Sequence, residues 1–305
     1  MTDALYGDHG FYTVPGTPSR HFRTAAHTGS TWAAAIAALA TQVDEVLGSP
    51  ADFSVVDVGA GGGELLTELA ELAPDRWSLI GVDVADRPPL LAPRVGWQRQ
   101  FPNELNGVLL AVELLDVVPL DVVQLTDAGV RLVEVDEDGE ERTTGPAGNA
   151  ERDWTAKWWP LRSPGDRAEV GLPRDEMWRD ITDRVTAGVA LAIDYAADPI
   201  DHLAGTLAGY RDGRHRTPIA DGTMDLTAHV HFESLRRDGD VVLTQREALR
   251  RLGITAGPPD YHHDPDAYLA DLARATEAAE LLNPHGLGSF TWLLHHVGIA
   301  PLLPG

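Results

Sequence analysis

The sequence predicts an α/β fold, a mostly parallel sheet with helices on both faces. Two observations carry this. The β-branched run Val55-Val56-Asp57-Val58 stops at Gly59-Ala60-Gly61-Gly62-Gly63 and restarts as Glu64-Leu65-Leu66, which reads as strand, tight turn and helix. Buried-strand runs then recur at residues 77–84, 107–112 and 188–193, and they meet acids at their ends in Asp83, Glu113 and Asp194. In open sheets of this kind, ligands lie outside the carboxyl ends of the strands.

Taken in order, Tyr6-Gly7-Asp8-His9-Gly10-Phe11-Tyr12-Thr13 has glycine and aromatic character without periodicity and reads as an ordered loop. With Phe22 it makes residues 1–29 a cap segment ahead of the first strand. Ser30 is a good N-cap for an amphipathic helix marked by Trp32, Ile36, Leu39, Val43 and Leu47, closed by Gly48. After the glycine turn, Leu65, Leu66, Leu69 and Leu72 recur at helical spacing until Pro74. Residues 95–98 are a short strand in which Trp97 either stacks on a base or packs in the core.

The strand at 107–112 runs into Glu113-Leu114-Leu115-Asp116-Val117-Val118-Pro119. Two carboxylates at such a tip either orient a cationic, proton-losing nucleophile, a guanidinium above all, or cap the following turn. The strand–helix alternation then lapses over residues 120–187. Residues 122–125 and 130–135 flank Asp127-Ala128-Gly129 as a hairpin, 136–151 reads as a polar loop, Trp154, Trp158 and Trp159 follow, and 173–185 is helical. This stretch is expected to be an insertion over the site within a single domain of residues 1–305, because its apolar content is too sparse for its own core. Residues 188–195 resume the buried strand and end on Asp194 and the phenol of Tyr195. His229 and His231 offer two metal ligands without a third at a suitable spacing, so no metal is expected. Thr244 and Glu247 form a capping box, Pro265 opens another helix, and 290–297 is a last strand.

The formal net charge of −23 argues against a phosphate-binding face and so against nucleic acid, and it would attract a cationic partner. The absence of cysteine excludes disulfides, thiolate metal sites and a cysteine nucleophile. No apolar run approaches the ~20 residues of a membrane span, and the start lacks signal-peptide character. The expectation is a soluble cytoplasmic protein, with its oligomeric state open.

The glycine spacing separates two cofactor classes. A dinucleotide fingerprint would put its third glycine at position 64, which is Glu64. The run from Asp57 through Gly59, Gly61 and Gly63 instead resembles the first motif of class I S-adenosylmethionine (SAM)-dependent methyltransferases. An acid at the loop entrance suits the methionine ammonium, and Asp83 is placed to accept both ribose hydroxyls.

Together with Gly10-Phe11-Tyr12-Thr13, His21-Phe22, Glu113 to Asp116 with Pro119, Ile193-Asp194-Tyr195, Gly205-Thr206-Leu207, Tyr210 and Asp225-Leu226-Thr227-Ala228-His229-Val230, that motif makes the chain resemble the MidA-like methyltransferase family. The resemblance implies a Rossmann-like class I fold with a mostly parallel seven-stranded sheet and a cap. It also implies SAM bound across Asp57, Gly59, Gly61, Gly63 and Asp83, and a protein arginine as methyl acceptor. Methyl transfer from a sulfonium needs in-line positioning, water exclusion and, where the acceptor requires it, proton removal. Glu113 is the first candidate for positioning or proton acceptance, with Asp116 and Tyr195 behind it. A small-molecule O- or N-methyltransferase and a non-catalytic SAM-binding assembly factor are the competing functions.

Overall fold

The computed structural model describes residues 1–14, 29–135, 139–197, 204–257 and 265–303. Its contacts group into two compact units. One comprises Arg23–Glu113, Thr182–Ile193 and Arg237–Gly305; the other comprises Met1–Phe22, Leu114–Ile181 and Asp194–Arg236.

The first unit is built on a seven-stranded sheet. With strands numbered in chain order, it holds β1 (Ser54–Val58), β2 (Ser78–Val82), β3 (Gly96–Gln98), β4 (Leu105–Val112), β9 (Val185–Asp194), β13 (Val241–Thr244) and β14 (Thr291–Val297). Their order is β13-β14-β9-β4-β1-β2-β3. β1 pairs in parallel with both β2 and β4, β2 with β3, and β4 with β9, whereas β13 and β14 are antiparallel. The chain steps outward from β1 through β2 to β3 and then returns to β4 on the other side of β1. That reversal is the topological switch point at which α/β sheets bind ligands.

Val55, Val108, Leu110, Val189 and Leu191 are buried in one apolar core with Trp32, Ile36, Leu39 and Val43 of the helix Ser30–Val46. Burying side chains of this size stabilises the fold by about 1.5–3 kcal/mol each. The N-terminus of that helix departs from expectation. Ser30 is its first residue, Gly29 occupies the N-cap position, and no side-chain cap bond forms there. The amide and hydroxyl of Thr31 instead bond the Glu277 carboxylate at 3.2 and 2.7 Å. A carboxylate from the helix Pro265–Leu281 supersedes the local hydroxyl because its charge also favours the positive helix end. The Thr244–Glu247 capping box is present at the helix Gln245–Arg251.

The second unit holds two antiparallel sheets. The hairpin read around Asp127-Ala128-Gly129 is β5 (Asp121–Thr126) with β6 (Gly129–Val135), and the sheet runs β7-β6-β5-β8 with β7 (Glu141–Pro146) and β8 (Arg167–Val170). Much of the stretch read as a polar loop is therefore ordered: β7 pairs along β6, where Thr143 and Thr144 suit a pleated edge, and the helix Asn149–Trp158 follows. Residues 136–138 lie outside the described residues. The premise of a core too sparse to form is also corrected, because Val123, Ala147, Trp154, Trp159, Ala168 and Val170 make a buried cluster of their own. Two indoles supply the area that scattered aliphatics would not.

The other sheet of this unit is β11-β10-β12, from β10 (Ala208–Arg211), β11 (Arg214–Arg216) and β12 (Asp225–Thr227). Against it residues 2–6 form a short helix ahead of the irregular segment 7–13 read as an ordered loop, Phe11 is fully buried, and the Tyr12 hydroxyl donates to Asp225 at 2.9 Å. The quoted His21 and Phe22 lie outside the described residues.

Candidate active site

Register brings the predicted cofactor residues to one edge of the seven-stranded sheet. Val58 pairs with Val82 on one side and with Ala111 on the other, so Gly59, Asp83 and the end of β4 emerge side by side. Gly59, Gly61 and Gly63 have φ values of 75°, 56° and 73°. Gly63 is the N-cap of the helix Glu64–Leu72, and a Cβ there would run into Leu91. Gly61 has nothing within 4 Å of a would-be Cβ, so its backbone faces open space. Asp83 braces this loop, accepting the Gly61 amide on one carboxylate oxygen and the Ala85 amide on the other, each at 2.8 Å.

Asp57 is buried in β1, 5% exposed. Burial pushes its carboxyl up to about 8, with the negative charges of Asp83 and Glu64 adding to the rise. Asp83 is raised by burial too, against the amides that favour its charged form. A cationic group arriving above Asp57 would restore its ionised form. Beyond Asp83 a cavity of about 570 Å³ is lined by Ala85, Arg87, Trp97, Gln98 and Arg99. Of the two roles weighed for Trp97 the structure shows core packing: its ring fills the space where Gly81 lacks a side chain, while its Nε1 donates to the Ala85 carbonyl at 3.1 Å beside the cavity.

Glu113 ends this unit. Its amide donates to the Ile193 carbonyl at 2.9 Å, and its φ is 50°, one of few non-glycine residues in the left-handed region. Such a conformation costs about 1–2 kcal/mol for an L-residue and turns the chain sharply out of the strand.

Asp116 and Tyr195 belong to the other unit, where a buried polar network holds them. Asp194, fully buried, accepts the amides of Leu115, Asp116 and Tyr195 at 3.0, 3.1 and 2.8 Å. Burial raises its carboxyl to about 6, opposed by those amides and by Arg174. Arg174, 2% exposed, donates to the carbonyls of Asp116 and His229 at 2.7 and 2.8 Å. Burial lowers its pKa, opposed by the negative charges of Asp116, Asp194, Glu169 and Asp175. Asp116 is 4% exposed, whereas Tyr195 is 38% exposed and stacks on His229 with ring centres 5.7 Å apart.

The roles of Asp194 and Arg174 emerge only from the structure. A lone acid closing an apolar strand was the available signal for the first. The second had none, since its partners are main-chain carbonyls more than fifty residues away in sequence.

The two histidines sit in different surroundings. His229 Nδ1 lies 3.1 Å from the Ala196 carbonyl, and His231 is ringed by Trp154, Trp158 and Trp159 at 5.9–6.1 Å. Among the described residues no group of three His, Cys, Asp or Glu side chains is gathered for a metal ion, and no helix is long and apolar enough to cross a membrane.

Residues 82–246 match the model of a family described as S-adenosyl-L-methionine-dependent methyltransferases. The chain is 33% identical over 184 residues to the mouse mitochondrial protein arginine methyltransferase NDUFAF7, a match covering 52% of this chain and 39% of that protein. It thus spans about two fifths of that relative's length. Two crystal structures of COG1565 superfamily proteins from Burkholderia thailandensis share the fold at a TM-score of 0.79. One, bound to S-adenosyl-homocysteine, is 23% identical and aligns with 98% of this chain and 87% of its own; the other is 24% identical over 99% and 87%. The chain belongs to this family: it is a MidA-like class I methyltransferase of Rossmann-like fold whose cofactor is S-adenosyl-L-methionine.

Proposed function

We propose that the chain methylates a side chain of a partner protein, with arginine the favoured acceptor. The observation that carries this is Glu113, held at φ 50° at the carboxyl end of β4 on the same sheet edge as the glycine loop. Backbone strain of this kind clusters at functional sites, which supports a role for the acid in the reaction. The name of the mouse relative, a protein arginine methyltransferase, supports the same acceptor, and the formal charge of −23 favours a basic partner over nucleic acid.

In this reading the loop of Gly59, Gly61 and Gly63 lets the cofactor approach the backbone closely, Asp83 accepts its ribose hydroxyls, and Asp57 balances its ammonium group through water. The residues fit such a ligand, because the loop is open at Gly61 and two acids, Asp57 and Asp83, stand near the carboxyl ends of the adjacent strands β1 and β2. SAM supplies an electrophilic methyl group on a sulfonium. Glu113 orients the guanidinium and takes up its proton as transfer proceeds. Asp116 and Tyr195 serve the acceptor side, Asp116 through the segment its backbone anchors and Tyr195 through its exposed ring. The chain acts as a soluble cytoplasmic protein.

Incubating a lysate with the chain and tritiated SAM, followed by mass spectrometry of labelled species, tests the acceptor. Methylarginine in a protein band is expected. Label confined to small molecules, to lysine or to carboxylates would overturn the arginine assignment, and no label despite SAM binding would favour an assembly factor.

A further inference from the structure

The chain has 24 lysines and arginines against 47 acids, and most of the described cations engage a carboxylate or a carbonyl. The β10–β11 hairpin is an exception. Arg211 pairs with Arg214 across the strands, and Gly209 pairs with Arg216. Because side chains alternate faces along a strand, Arg211, Arg214 and Arg216 all lie on the face of Gly209, while Tyr210 and His215 pair on the opposite face. All three arginines are exposed.

Arg211 donates to the Thr223 hydroxyl at 3.3 Å and lies near Asp221. Neither the Arg214 nor the Arg216 side chain makes a hydrogen bond or ion pair among the described residues. The turn between the strands is Asp212-Gly213, with φ values of 52° and 68°. Positive φ at both central residues is the two-residue hairpin geometry, so the ribbon is well made and its register is set by the turn.

Opposed like charges destabilise a strand pair. A hairpin needing only solubility would not set Arg211 against Arg214, least of all in an acidic chain with carboxylates to spare. The arrangement makes sense where an external anion neutralises the row. Guanidinium groups one strand-width and two residues apart can each take a carboxylate in a two-point hydrogen bond.

Extended polyanions such as nucleic acid or an anionic membrane would bring many charges against a surface of net −23, whereas a short acidic segment places its charges only on the row. We propose that the Arg211, Arg214 and Arg216 face of this hairpin docks a carboxylate-rich segment of a partner protein. This inference stands apart from methyl transfer and from the identity of the acceptor.

Fluorescence anisotropy of a labelled hexaglutamate peptide, titrated with the full chain, tests it. Saturable binding is expected, weakened about tenfold or more between roughly 50 and 300 mM salt and by Arg214→Glu/Arg216→Glu. The milder Arg214→Ser/Arg216→Ser chain should lose most of the binding while its melting temperature stays equal or rises. His215→Ser, on the other face, should bind as the wild type does. Absence of saturable binding overturns the proposal, as does a double variant that binds normally. Competition settles the source of the anion: displacement of the peptide by a 12-nucleotide single strand, phosphatidylserine vesicles or inorganic phosphate at lower concentration than by free hexaglutamate would reassign the surface.

Discussion

The Gly61 amide donates to the Asp83 carboxylate at 2.8 Å, tying the glycine loop that follows β1 to the end of β2. Asp83 braces the loop, and in the function proposed above it also receives the ribose. Asp83→Ala should weaken SAM binding by at least about tenfold in isothermal titration, since a lost hydrogen bond to a charged group is worth about 1.5–3 kcal/mol. Asp83→Asn, which keeps one acceptor oxygen, should fall between. Equal affinity for all three chains would remove Asp83 from the cofactor site.

Gly61 and Gly63 share a left-handed backbone but differ in what surrounds them. Gly63→Val must displace Leu91, so it should lower the melting temperature by several degrees, about 2–4 °C for each kcal/mol in a chain of this size. Gly61→Val meets no neighbour and carries only the backbone strain of about 1–2 kcal/mol, yet it fills the space above the loop. It should therefore lose SAM binding while melting closer to the wild type than Gly63→Val does.

Glu113 separates chemistry from backbone strain. Glu113→Gln should bind SAM normally and turn over about a hundredfold more slowly, the scale of losing a general base. Glu113→Gly relieves the φ of 50° and should match or exceed wild-type stability while remaining as slow as Glu113→Gln. Full turnover in either variant would take Glu113 out of the reaction.

Three buried acids predict how stability depends on pH. Asp57 is raised to about 8, and Asp194 and Asp225 to about 6 each, mainly by burial. Between the ordinary carboxyl value near 4 and these raised values the folded chain holds protons that the unfolded chain has released. Their contribution is thus fully present below about pH 4 and is lost as pH rises through about 6 and then about 8. The melting temperature without ligand should be higher at about pH 5.5 than at about pH 8.5, and Asp57→Asn should flatten the upper part of that slope. SAM affinity should move the opposite way, tightening as Asp57 ionises, and the trend should vanish in the same variant.

Asp194 is a positioning residue, since it reaches the rest of the molecule through the amides of Leu115, Asp116 and Tyr195. Asp194→Asn turns an amide group toward those donors and should cost about 1–3 kcal/mol. Thermal denaturation should register a drop of several degrees, whereas Asp194→Glu, which keeps the charge but overfills the site, should restore part of it. A melting temperature unchanged by Asp194→Asn would refute this role.

The sequence by itself determined the glycine-loop edge of the sheet. Glycines that must adopt positive φ, an apolar strand before them and an acid one strand later are local features, and each is set by the residues that carry it. The parallel sheet was legible for the same reason, since runs such as residues 107–112 and 188–193 bury both faces and read as continuous apolar segments.

Only tertiary structure decided the rest. Glu277 caps the helix of Ser30 from more than two hundred residues away, β7 is ordered because β6 offers it an edge, and the indoles of Trp154 and Trp159 complete a core that composition alone made look too thin. The left-handed turn at Glu113 and the carbonyl clasp of Arg174 are likewise invisible in the chain. Their partners are backbone atoms, which every residue possesses and no sequence pattern marks.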